Sequence, residues 1–119
     1  MVQRGSYLSI VDNNGIILVG VFHIYKGFCN KIAYFGSFLK VSVKQVLASY
    51  LVLKKCKFKS LLIQTSFKQL KNDGSFLKYK FNSSVILKRR LSPLGKDIFG
   101  PCNFNLFRRR FMFSFVCII

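Results

Sequence analysis

At 119 residues with 51% hydrophobic side chains, the chain has material for one core and is expected to form a single domain over residues 1–119. Twenty Lys and Arg against three acids, Asp12, Asp73 and Asp97, leave a formal charge of +17, so most cations lack a carboxylate and an anionic partner is implied. The 14 Phe and 5 Tyr argue against disorder, and one His with three acids gives catalysis almost nothing to work with.

The preference for Phe, Leu, Ile, Lys, Ser and Asn, with Ala only at positions 33 and 48 and no Trp, is what A+T-rich codons produce and hints at an organelle-encoded gene. The opening "MVQRGSYLSIVD" has no apolar run long enough for an export signal and carries Asp12, so the chain is expected to stay in the compartment where it is made.

In chain order, "SYLSIV" and "IILVGVFHIY" flank the turn "DNNG" and read as a first pair of strands. "FLKVSVK" alternates cleanly, with Leu39, Val41 and Val43 on one face and Lys40, Ser42 and Lys44 on the other. "KFKSLLIQTS" starts with Lys57 and Lys59 about Phe58 and becomes continuously apolar, as a strand does on leaving an exposed rim for a barrel wall. "FKQLKNDG" is a basic loop closing on the Asp73-Gly74 turn, and "SFLKYKFNSSVIL" supplies two further extended pieces. In the first of these, period two places Lys78 and Lys80 opposite Leu77, Tyr79 and Phe81, and the aromatics Phe58, Tyr79 and Phe81 are read as core rather than as base-stacking groups. Pro93, Gly95, Gly100 and Pro101 make "KRRLSPLGKDIFGPCNF" a fixed connector before a terminal helix or strand in "NLFRRRFMFSFVCII". The whole reads as mainly β, with five or six short strands that suit a closed or partly open barrel.

Asp12 and Asp73 each lie in a turn signal and are read as turn-bonding carboxylates; His23, in an apolar run, is read as a wall or rim residue. Cys29, Cys56, Cys102 and Cys117 have no zinc-ligand spacing and read as small buried hydrophobes rather than disulfide partners, so no metal and no cofactor are expected. "GIILVGVF" and "FMFSFVCII" fall short of the ~20 residues of a membrane-spanning helix, and no membrane insertion is expected.

The remaining signal is the run of basic clusters. Lys54, Lys55, Lys57 and Lys59 fall in "KKCKFK", Lys78 and Lys80 in "KYK", Lys88, Arg89 and Arg90 in "KRR", and Arg108, Arg109 and Arg110 in "RRR". With Asp97 as the only acid after Gly74, these clusters suit phosphate binding and counterion release.

"VDNNG", "FLKVSVK", "NDGSFLKYKFNSSVIL", "GKDIFGP" and "RRRFM" stand in an order and spacing that resembles the universal large-subunit ribosomal protein fourteen family over nearly the whole chain. The resemblance implies a small five-stranded antiparallel barrel with an extra hairpin and a short helical C-terminal section, about 93–119. It also implies a non-enzymatic role, binding large-subunit ribosomal RNA at the subunit interface and abutting neighbouring ribosomal proteins. Small-subunit RNA across an intersubunit bridge and a ribosome-silencing factor are the further partners it implies.

Lys78, Lys80 and the loop Ser66 to Asn72, with Lys68 and Lys71, match RNA-facing positions; Lys40, Lys44, Lys54 and Lys59 match basic positions, and Lys96 lies within "GKDIFGP". Two departures stand out. Ile17 and Leu18 replace a basic pair, and "FNLF" replaces an Arg-Glu-Leu-Arg type helix on the surface where bridge and factor contacts are expected. Such drift resembles a mitochondrion-encoded member, with a plastid as the alternative location. A free-standing single-strand-binding barrel, reading bases through exposed aromatics such as Tyr79, is the alternative function.

Overall fold

The computed structural model describes residues 1–28, 30–48, 54–102 and 117–118. In chain order its strands are β1 (Val2–Gln3), β2 (Tyr7–Ile10), β3 (Ile16–Ile24), β4 (Ile32–Ala33), β5 (Phe38–Val46), β6 (Lys57–Gln64), β7 (Gln69–Leu70), β8 (Phe76–Leu77), β9 (Ser83–Leu87), β10 (Asp97–Ile98) and β11 (Cys117–Ile118). β2, β3, β5, β6 and β9 close a barrel in that order, and β7 with β8 forms the extra hairpin.

The barrel is mixed, not purely antiparallel. Four of its pairings are antiparallel, while β2 and β9 run parallel with Ser9 opposite Ser83 and Ile10 opposite Ser84. Parity requires this, because strand directions cannot alternate all the way round a closed ring of five strands, so one pair must be parallel. At that seam the Ser9 and Ser83 hydroxyls lie 2.7 Å apart in a hydrogen bond.

Strand alternation sets the inside. Leu39, Val41 and Val43 of β5 join Leu8, Val19, Val21, Ile24, Leu62 and Ile86 in the barrel core. Leu61, Ile63, Val85 and Leu87 point the opposite way and are also buried, packing with Ile98 and with half-buried Val11, Phe38, Leu91 and Cys102 in a second cluster. Burial on both faces explains why "LLI" and "VIL" are continuous apolar runs and not alternating ones.

The connector from Lys88 onward covers this outer face. Leu94 N–H donates to Ile86 O at 3.1 Å, Phe99 N–H to Val11 O at 2.7 Å and Gln64 Nε2 to Pro101 O at 2.6 Å. The "VDNNG" turn grips the same segment: Lys96 N–H donates to Asn13 Oδ1 and Asn13 Nδ2 to Asp97 Oδ2, both at 3.0 Å. Gly95 is needed there, since a Cβ would lie 2.8 Å from Asn13 Oδ1 and 3.0 Å from Asp12 Cβ.

The described part of the expected helical section holds no helix; 93–102 is an irregular run broken only by β10, which pairs in parallel with β11. Prolines and glycines there favour turns over a helix. The rest of that section, 103–116 and Ile119, lies outside the described residues. No helix of the described residues is long and apolar enough to cross a membrane.

Candidate nucleic-acid interface

The outer face of β3, β5 and β6 gathers cations around two rings. Strand register puts Lys40 directly opposite Lys59 and Ser42 opposite Lys57, because each pair shares the outward phase of its strands. In β3 the register steps from Val21 opposite Val41 to His23 opposite Lys40, so Phe22 is an extra residue that bulges outward with His23. The Lys40 and Lys57 ammoniums lie 6.0 and 5.9 Å from the centre of the Phe22 ring, and that of Lys59 lies 5.6 Å from Tyr25. His23 packs edge-on against Tyr25 at 4.7 Å. Like charges directly across a strand pair destabilise it by a few tenths of a kcal/mol or more, roughly, and a bound anion would reverse the sign.

Nearby, the stem of Lys44 lies across Gly20, where a Cβ would meet Lys44 Cε at 3.0 Å. Lys54 and Lys55 are exposed in the turn before β6, with Lys55 at a φ of 68° and its N–H donating to Val43 O at 2.9 Å. The patch is extended by Lys26, whose ammonium lies 4.8 Å from the Tyr34 ring. Sequence reasoning missed Phe22, Tyr25 and Lys26, since the bulge that turns Phe22 outward leaves no mark in an apolar run.

A second basic region is the β7–β8 hairpin. Asp73 Oδ1 accepts from the N–H and hydroxyl of Ser75, and Lys71 N–H donates to Ser75 O at 2.8 Å to close the turn. Those bonds hold the Asp73 carboxyl below its ordinary range. At the base, the Ser66 N–H donates to Asn82 Oδ1 at 2.9 Å and Tyr79 N–H to Thr65 O at 3.1 Å. Lys68, Lys78 and Lys80 are exposed and Lys71 is half-buried.

The expected alternation after Gly74 survives in part. Leu77 and Tyr79 are half-buried while Lys78 and Lys80 are exposed, and burial pushes the Tyr79 hydroxyl up. Phe81 overturns the core reading: it is exposed, because pairing ends at Leu77 and a bend turns the chain before β9. Phe58, by contrast, is half-buried against the barrel core.

Lys88, Arg89 and Arg90 are exposed in a turn closed by Lys88 N–H to Ser92 O at 2.7 Å and Leu91 N–H to Lys88 O at 2.9 Å. Leu91 holds a φ of 64° there while its side chain packs into the second core cluster. Lys96 is exposed beside the "VDNNG" turn, so it joins neither patch directly; Arg108, Arg109 and Arg110 lie outside the described residues.

The acids are turned to architecture. Asp12 is buried, and its Oδ2 accepts from Ile86 N–H at 3.2 Å across the barrel wall, while the nearby Asn14 amide also favours its charged form, in keeping with the turn role expected for it. Burial pushes its carboxyl up to about 6. Cys56 is a half-buried thiol against the barrel core, and Cys102 is half-buried against the second cluster; Cys29 lies outside the described residues.

The family model described as "Ribosomal protein L14p/L23e" matches residues 1–116. The chain is also 40% identical over 115 residues to the large ribosomal subunit protein uL14m of Tetrahymena pyriformis, an alignment covering 97% of each.

Proposed function

The chain belongs to the ribosomal protein L14p/L23e family, and from that premise we propose that it is a structural, non-catalytic constituent of a mitochondrial large ribosomal subunit. The mitochondrial assignment follows the likeness to uL14m. Its work is to neutralise and position ribosomal RNA phosphates and to hold neighbouring ribosomal proteins against them.

The observation that carries RNA binding is the patch at β5 and β6. Lys40 faces Lys59 with Lys57 beside them, in a chain whose three carboxylates each accept a hydrogen bond from the protein's own amides. Phosphates are the anions such a patch suits, since each one neutralised releases condensed counterions. The hairpin lysines Lys68, Lys71, Lys78 and Lys80, the turn Lys88 to Arg90, Lys44, Lys54, Lys55 and Lys96 extend the same reading. Arg108 to Arg110 belong to it by their place in the family pattern. A bridge to small-subunit RNA and the docking of a silencing factor would fall to the C-terminal section.

Two measurements test this. A tagged copy should co-sediment with the large subunit in mitochondrial extracts; absence from that peak would end the ribosomal reading. Replacing Lys40, Lys57 and Lys59 by Gln should weaken RNA binding across sequences and shrink the log–log salt slope by about 1 for each phosphate that is no longer neutralised. An unchanged slope would remove this patch from the interface.

A further inference from the structure

The β7–β8 hairpin is polarised the wrong way for a solvated element. Leu70 pairs with Phe76 and Gln69 with Leu77, so Leu70 and Phe76 share one face and Gln69 and Leu77 the other. The half-buried face is the Gln69–Leu77 side, whereas Leu70 and Phe76 are 66% and 64% exposed. Phe81 at the hairpin base is 63% exposed as well. A hairpin of a monomeric soluble protein would place polar groups outward; here rings point out and cations ride on them. The Lys68 ammonium is 5.5 Å from the Phe76 ring centre, and that of Lys80 is 5.4 Å from Phe81.

We propose that this outward face stacks unpaired nucleotides of the bound RNA, with Phe76 and Phe81 as the stacking rings and the hairpin lysines holding the adjoining phosphates. The inference rests on the RNA-binding reading above and adds to it the class of RNA held here. A partner must match both a flat apolar surface and a local excess of positive charge: Lys68 and Lys80 lie over the two rings, Lys71 and Lys78 belong to the same segment, and Asp73, the one acid of the hairpin, is tied to Ser75. An unpaired nucleotide carries both features, a planar base next to an anion. A duplex offers its phosphates but keeps its base faces stacked inside, and a protein surface apolar enough to cover the rings would leave the lysines without counter-charges unless it were also acidic.

The test uses the full-length protein and two probes, a short oligouridylate and a blunt RNA duplex of equal length. Phe76→Leu combined with Phe81→Leu keeps the apolar character and, at exposed positions, spares the fold, but removes the aromatic faces. Binding to oligouridylate should fall about tenfold or more while binding to the duplex stays within about twofold. Phe76→Tyr with Phe81→Tyr should restore the single-strand affinity. The proposal is overturned if the Leu variant binds oligouridylate as the parent does, the result expected if a protein covers this face, or if it loses both probes equally. If the parent protein binds neither probe, the RNA-binding reading falls and this one with it.

Discussion

Asp12 keeps its proton to about pH 6 in the folded chain, against an ordinary value of 3.8, because burial disfavours its charged form. Between those two values the native state holds more protons than the unfolded one, so stability should fall as pH rises from about 4 to about 6, by on the order of 2 kcal/mol. Asp73 acts outside that window: its depressed value makes its contribution disappear only as the pH drops below 3.8. Asp12→Asn retains an acceptor for Ile86 N–H but cannot ionise, and urea unfolding across this range should lose the slope. Gly95 is the other constrained position. Gly95→Ala would force a methyl against Asn13 and Asp12 at 2.8 to 3.0 Å and should lower stability by about 1–3 kcal/mol, read as a shift in the urea midpoint.

At the scale of elements, the β5–β6 ladder carries a conflict between stability and binding. Lys59→Gln removes a charge facing Lys40 and should raise the stability of the RNA-free protein by a few tenths of a kcal/mol, roughly, at low salt while weakening RNA binding. Added salt should erase the stability gain; a gain that persists at high salt would show that repulsion is not its source. The β7–β8 hairpin depends instead on one side chain at its base. Asn82 Oδ1 accepts from both the N–H and the hydroxyl of Ser66, so Asn82→Ala should speed amide exchange from Ser66 to Phe81. Barrel amides in β5 and β6 should be unaffected, since the hairpin projects from the wall rather than forming part of it.

The whole molecule balances a well-buried core against a charge of +17. Self-repulsion of that size should make the isolated protein gain several degrees in Tm, roughly, between low and physiological salt, and more with RNA present, because a ligand for the folded state stabilises by mass action. The parallel seam of β2 and β9 joins Ser9 to Ser83, so the ring closes only when distant parts of the chain meet. Folding in the millisecond-to-second range, roughly, is the expected consequence of such non-local pairing.

Alternation and turn chemistry in the sequence were enough to locate β5, the start of β6 and the Asp73-Gly74 turn, since each is governed by neighbours two or three residues away, but not β7, which falls in a segment that reads as a basic loop. The lack of acids likewise pointed to an anionic partner, because net charge needs no fold to be counted. Other features depend on residues far apart. That "VDNNG" clasps "GKDIFGP", that Lys40 faces Lys59, and that Asp12 reaches Ile86 are consequences of register and closure. The parallel seam follows from the parity of the ring, which no local pattern encodes. Phe22 and Phe81 were hidden for the same reason: a bulge in β3 and a bend before β9 turned them outward, and the periodicity of a strand predicts a side chain's direction only where pairing continues.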